Sequence, residues 1–234
     1  MDRQEDAVRN PIGGLPLRRY LLAILFAVLP WPAAWWGLYV ERSAPLAFVA
    51  YHGVCIVGGL VLRSPGLPAP VRVYSVRSRD LLVGVVVANL FILLLYVLVG
   101  DALLDRPHVL GLLATRGLPP RTYLWLFPYF ALVNPTAEEF FWRGGVYATL
   151  RHLYGSWIPV AAFDAVLFGS WHWLVVSQFV AWPVALAATG AIAAIGFGLA
   201  AVYEHTRRLP YAIILHAFAG DAPLLVLLYL LGRG

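Results

Sequence analysis

Charge is scarce in this 234-residue chain, and scarcest where most proteins spread it. Asp, Glu, Lys and Arg together make up 12% of the residues, whereas 61% are hydrophobic. A soluble globular domain carries about 25% charged residues, so an ordinary soluble domain is excluded. Lysine is absent, and all 17 basic residues are arginines. They sit mainly at the ends of apolar runs, as they do where positive charge orients a membrane protein, so the basic balance does not point to nucleic acid. A single cysteine, Cys55, excludes an intrachain disulfide. It lies in an apolar run one helical turn from His52. A thiol nucleophile needs a polar neighbourhood that lowers its pKa, and a small buried core residue is the plainer reading. No low-complexity tract, internal repeat or His-Glu-x-x-His motif is present.

What is present is a series of long apolar runs. A spanning helix needs about 20 mostly apolar residues, and the pattern predicts an all-α polytopic transmembrane bundle of about seven spans. Spans are expected at 20–40, 44–62, 81–99, about 121–153, 157–180, 183–205 and 209–231. A Pro- and Arg-rich loop fills 63–79, and 100–121 reads as a polar connection. The polar stretch 1–19 contains acids and a Gly-Gly turn, so it reads as a cytoplasmic segment and not as a cleavable signal peptide. The chain then divides into 1–19, an N-terminal membrane part (20–120) and a C-terminal part (121–234). With the N-terminus inside, eleven arginines fall on the inner side (3, 9, 18, 19, 63, 72, 77, 79, 151, 207 and 208). Five fall outside (42, 106, 116, 121 and 233), and Arg143 lies within the membrane. This bias predicts a cytoplasmic N-terminus and an outer C-terminus.

An ionisable side chain at the bilayer centre costs about 2.5–3.5 kcal/mol on insertion scales, so each one inside a span is a candidate for function. Two of the chain's five glutamates stand side by side in the fourth span, in Ala-Glu138-Glu139-Phe-Phe-Trp-Arg143-Gly. At about 100° per residue, Glu139 and Arg143 share a face and can pair, while Glu138 sits about 140° from Arg143. One carboxylate is then neutralised, and the other is free to face a cavity and hold water as a general base. An ion pair at a helix end near the membrane surface would give the same pattern. The fifth span carries Asp164, Phe168 and His172 on one stripe, and the seventh carries His216. Each histidine alone could be a hydrogen-bonded core residue. Glutamates and histidines on three spans can instead converge to activate water and stabilise an oxyanion. His52, Asn89, Asn134 and Gln178 read as interhelical hydrogen-bonding groups.

In order, these residues resemble the signature of the CAAX-protease and bacteriocin-processing family, which includes Ras-converting enzyme. Glu138, Glu139 and Arg143 match its Glu-Glu-x-x-x-Arg motif, and Phe168 and His172 its Phe-x-x-x-His motif. His216 matches the start of its His-x-x-x-Asn/Asp motif, but Gly220 stands at the last position and Asp221 follows it. In a regular helix Asp221 points about 140° from His216. It could take the missing role only if the helix is distorted, and Gly220 and Pro223 favour such a distortion.

The resemblance implies an intramembrane endopeptidase that cuts a membrane-associated protein or peptide near its C-terminus. Candidate substrates are a prenylated protein, a bacteriocin-like leader or a C-terminal sorting helix. Glu138, helped by His172, would activate water; His216, with Asp221, would stabilise the oxyanion; Glu139 and Arg143 would hold the helix. No cofactor is expected, although Glu138, His172 and His216 would also make a zinc set. The lipid bilayer is the expected surrounding, in a bacterial inner (plasma) membrane. Two other readings use the same residues. A proton-coupled transporter would show repeated halves or paired broken helices, which the chain lacks. A non-catalytic scaffold or immunity protein of the same fold would explain Gly220.

Overall fold

The structure, a computed structural model, describes residues 15–63, 77–154 and 156–233. The N-terminal segment 1–14 and most of the Pro- and Arg-rich loop lie outside the described residues, as do Arg3, Arg9 and Arg72 of the orientation argument.

Every described element is helical. Eight helices follow in order: α1 (Leu17–Val40), α2 (Ala44–Leu62), α3 (Ser78–Leu103), α4 (Arg106–Thr115), α5 (123–150), α6 (Ile158–Val176), α7 (Trp182–Thr206) and α8 (Leu209–Gly232). Among the described residues, six of them are long and apolar enough to cross a membrane: α1, α2, α3, α6, α7 and α8. α5 is the seventh expected span. Glu138, Glu139, Arg143 and Asn134 lower its hydropathy, yet its backbone is continuously helical from 123 to 150.

The region 100–121 differs from expectation, because it holds α4. Asp105 caps this helix by accepting from the His108 amide at 3.2 Å, and Pro107 sits in its first turn, where no amide donor is needed. Arg106 Nε donates to the Leu231 carbonyl (2.9 Å), which ties α4 to the end of α8.

Within its spans the bundle is apolar outside and carries its charges inside. Leu82, Val97, Leu98, Leu124, Trp125 and Trp182 are all more than 60% exposed, whereas Glu138, Glu139, Arg143 and Asp164 are at most 2% exposed. Lipid accounts for the first set. The second set must find its partners within the protein. α5 runs through the centre, packed against α2 and in contact with α1, α6, α7 and α8.

Three of the long helices are broken by π-helical turns, in which i→i+5 hydrogen bonds replace i→i+4. In α5 the Asn134 amide donates to the Tyr129 carbonyl and the Ala148 amide to that of Arg143. In α8 the Ala222 amide donates to the Ala217 carbonyl, within the π turn His216–Asp221. In α1 the Glu41 amide donates to the Trp36 carbonyl. Proline accounts for two of these turns. Pro135 and Pro223 lack an amide donor and crowd the carbonyl one turn back, and the preceding turn widens.

α6 and α7 approach closely through glycines. A Cβ on Gly169 would meet the Ala193 Cβ at 2.6 Å, its Cα at 2.8 Å and its N at 2.9 Å, and one on Gly196 would meet the Phe168 ring at 2.7 Å. Small residues allow this approach where lipid supplies no hydrophobic drive. Gly169→Ala is therefore expected to destabilise the bundle by about 1–3 kcal/mol in detergent unfolding. Gly198→Ala, whose added Cβ meets nothing within 4 Å, is the neutral control.

Candidate active site

The polar core is built on α5. Arg143 Nη1 donates to Glu139 Oε1 at 3.0 Å, the expected i,i+4 pair. Its Nη2 donates to the Gly196 carbonyl of α7 at 2.7 Å, and its Nε lies 3.7 Å from Asp164 Oδ2 of α6. The guanidinium also lies over the Phe168 ring, 4.6 Å from the centroid. One cation thus ties α5, α6 and α7 together. The helix-end reading of this pair is excluded, since Arg143 is wholly buried and α5 continues past it to Leu150.

His216 comes from α8 and faces three carboxylates. Its Nδ1 is 2.8 Å from Glu139 Oε1, so the ring donates a proton there. Its Nε2 lies 3.7 Å from Glu138 Oε2 and 3.7 Å from Asp221 Oδ1. The π turn accounts for the second contact. Where hydrogen bonds join residues five apart, Asp221 returns to the His216 side of α8. The distortion that Gly220 and Pro223 favour is present, and it delivers a carboxylate to His216 from one residue past the usual motif position.

Glu138 differs from its neighbour. Glu139 Oε1 takes two donors, whereas no hydrogen bond reaches Glu138 among the described residues; Glu138 Oε2 is buried and unpartnered, as are Glu139 Oε2 and both carboxylate oxygens of Asp164. Such a group in a folded protein calls for an explanation, and a role in chemistry is one.

His172 sits where α6 breaks, at the Trp171–His172 turn that follows Ser170. Its Nδ1 donates to the Phe168 carbonyl (2.8 Å), so the neutral ring leaves Nε2 as its acceptor. Trp171 stacks on it at 3.9 Å between centroids. Phe168 contacts both histidine rings, at 5.1 Å from His172 and 5.9 Å from His216. Among the described residues, no hydrogen bond or ion pair joins His172 to Glu138 or His216. No group of three or more His, Cys, Asp or Glu side chains is placed to hold a metal ion among those residues either. Cys55 is wholly buried in the apolar core, as the plainer reading held.

Two contacts of the core were not readable from the sequence. Asn134 Nδ2 donates to Asp221 Oδ2 at 2.8 Å, and His52 Nε2 lies 2.8 Å from Asn134 Oδ1. Both residues stood out as interhelical hydrogen-bonding groups, but nothing in the spacing said that they meet at Asp221.

Fold and site together define a polytopic helical membrane protein with a buried carboxylate–histidine–arginine cluster. Residues 120–220 match the family described as Rce1-like, the type II CAAX prenyl endopeptidases. This segment holds Glu138, Glu139, Arg143, Asp164, His172 and His216 and ends just before Asp221, and the match supports the resemblance to the CAAX-protease family, a family of membrane proteases. No curated protein and no solved structure matches the chain.

Proposed function

We propose that this protein is a glutamate-dependent intramembrane endopeptidase that cleaves near the C-terminus of a membrane-anchored protein. The observation that carries the reading is the Glu138 carboxylate, buried without a donor and 3.7 Å from His216 Nε2, beside a Glu139 that is already paired. Glu138 takes a proton from a water molecule as that water adds to the scissile carbonyl carbon. The new C–O bond leaves the carbonyl oxygen negative, and a doubly protonated His216, its Nδ1–H held by Glu139, stabilises it through Nε2–H. The C–N bond then breaks, and the proton held on Glu138 passes to the departing amine. His172 offers its Nε2 to the water or to the substrate. Asp221 takes the place of the family motif's last side chain, and Glu139 with Arg143 holds α5 in shape. The N-terminus faces the cytoplasm of a bacterial cell.

The reaction needs no metal in this reading. The residues that could hold zinc, Glu138, His172 and His216, do not form a metal-ligand group among the described residues.

The test is cleavage of a farnesylated peptide ending in Cys-aliphatic-aliphatic-X by the purified protein in liposomes, with an unprenylated copy and a strong chelator as separate arms. Release of the terminal tripeptide from the prenylated copy, undiminished by chelator, is expected. Loss with chelator and return with zinc would replace the glutamate reading by a metal one. Equal cleavage of both peptides would remove the prenyl group from recognition.

A further inference from the structure

The polar chain continues beyond Asp221 into the N-terminal half, which carries no family signature. Asn134 stands between Asp221 and His52, and chemistry fixes its orientation. A carboxylate only accepts, so the amide Nδ2 faces Asp221, and Oδ1 faces the ring. Oδ1 also only accepts, so His52 carries a proton on Nε2. At its other end the ring has Nδ1 2.7 Å from the Tyr129 hydroxyl and 2.8 Å from the Phe48 carbonyl. The rings of Tyr51 and Tyr129 meet it edge-on, at 5.0 Å and 5.4 Å. His52 and Asn134 are both buried, at 6% exposure. A ring held at both nitrogens and on two sides does not reorient freely.

We propose that His52 and Asn134 are positioning residues, holding the Asp221 carboxylate so that Oδ1 faces His216 Nε2 and the His216 ring stays aimed at Glu138. The proposal rests on the protease reading above. Two features of this chain create the need. Asp221 sits one residue beyond the family position and reaches His216 only through a widened helical turn. It also shares Nε2 with Glu138, each at 3.7 Å, and two carboxylates on one nitrogen repel. The Asn134 hydrogen bond to Oδ2 holds the Asp221 carboxylate in place against that repulsion. It also places the registry of α8 under the control of α2, through α5.

The experiment uses the full chain in liposomes, with the farnesylated peptide as probe. Asn134→Leu is expected to lower kcat about tenfold or more and to leave KM within about twofold. Asn134→Asp, nearly isosteric, sets two carboxylates against each other and is expected to do the same; it carries the test if the leucine variant fails to fold. His52→Phe falls with them. His52→Gln, whose amide can still donate to Asn134 Oδ1, recovers activity to within about threefold. A purely structural role would lower thermal stability and leave kcat of the folded protein unchanged, and that result overturns the proposal.

A second readout does not depend on cleavage. In imidazole 15N NMR spectra, with His216 assigned through His216→Gln, Asn134→Leu is expected to shift the His216 ring signals. Unchanged His216 signals contradict the proposal even if the peptide is not a substrate. A protein that cleaves no prenylated peptide but shows the shift fails the protease reading alone.

Discussion

Arg143→Leu is expected to destabilise the bundle by about 3–5 kcal/mol, the range for breaking a buried ion pair by removing one partner. The guanidinium is wholly buried and is the cation for Glu139 and Asp164, while it also donates to the Gly196 carbonyl and lies on Phe168. Its removal leaves two buried carboxylates facing each other across a site that already holds Glu138 and Asp221. Leucine fills part of the volume and meets none of the charge. Arg143→Lys is expected to recover only part of the loss. A single ammonium cannot reach Glu139, Asp164 and the Gly196 carbonyl in the fork that the guanidinium presents. Cys55 supplies the measurement. It is the chain's one cysteine, wholly buried in the core, so its labelling by a thiol-reactive dye during heating reports unfolding directly. An Arg143→Leu protein that unfolds with the wild type would show that the cluster carries no structural charge pairing.

The sequence made one half of this cluster legible, and the reason lies in helix geometry. Glu139 and Arg143 share a helix at a spacing of four, so their contact needs no knowledge of neighbours. Asp164 and Phe168 were readable as one stripe, but their shared partner, Arg143, sits on another helix, and packing alone decides that. Pro223 and Gly220 marked α8 as distorted; they did not give the kind of distortion. A kink would have left Asp221 off the His216 face, and the π turn brings it on.

The break in α6 at Trp171–His172 follows the Gly169–Ser170 pair, a kink signal that the expected continuous span 157–180 passed over. α4 was missed because its ten residues fall in a stretch read only for its polar groups, although Asp105 and Pro107 are an ordinary start signal. His52 and Asn134 were visible as polar residues in apolar helices. That α2 and α5 bring them to Asp221 depends on tertiary packing, which no spacing within either helix encodes.

Glu138→Gln is expected to lower cleavage by about 10²–10⁴-fold, the contribution of a positioned general base. The variant keeps the volume and one carbonyl oxygen of the side chain, and it removes the group that can take a proton from water. Its stability is expected to match or exceed that of the wild type, because Glu138 Oε2 accepts no hydrogen bond from the described residues and lies near two other carboxylates. A neutral amide there relieves repulsion. This combination separates chemistry from folding, which Arg143→Leu cannot do. A non-catalytic scaffold of the same fold would tolerate the change without any functional loss.

The most direct measurement is mass-spectrometric detection of the tripeptide released from the farnesylated peptide by wild-type and Glu138→Gln proteins, at equal amounts in the same liposomes, with Cys55 protection confirming that both are folded. Release by the wild type and at least about a hundredfold less by the variant is the result this account predicts. Equal release by the two folded proteins would show that Glu138 does not activate the water, and would contradict it.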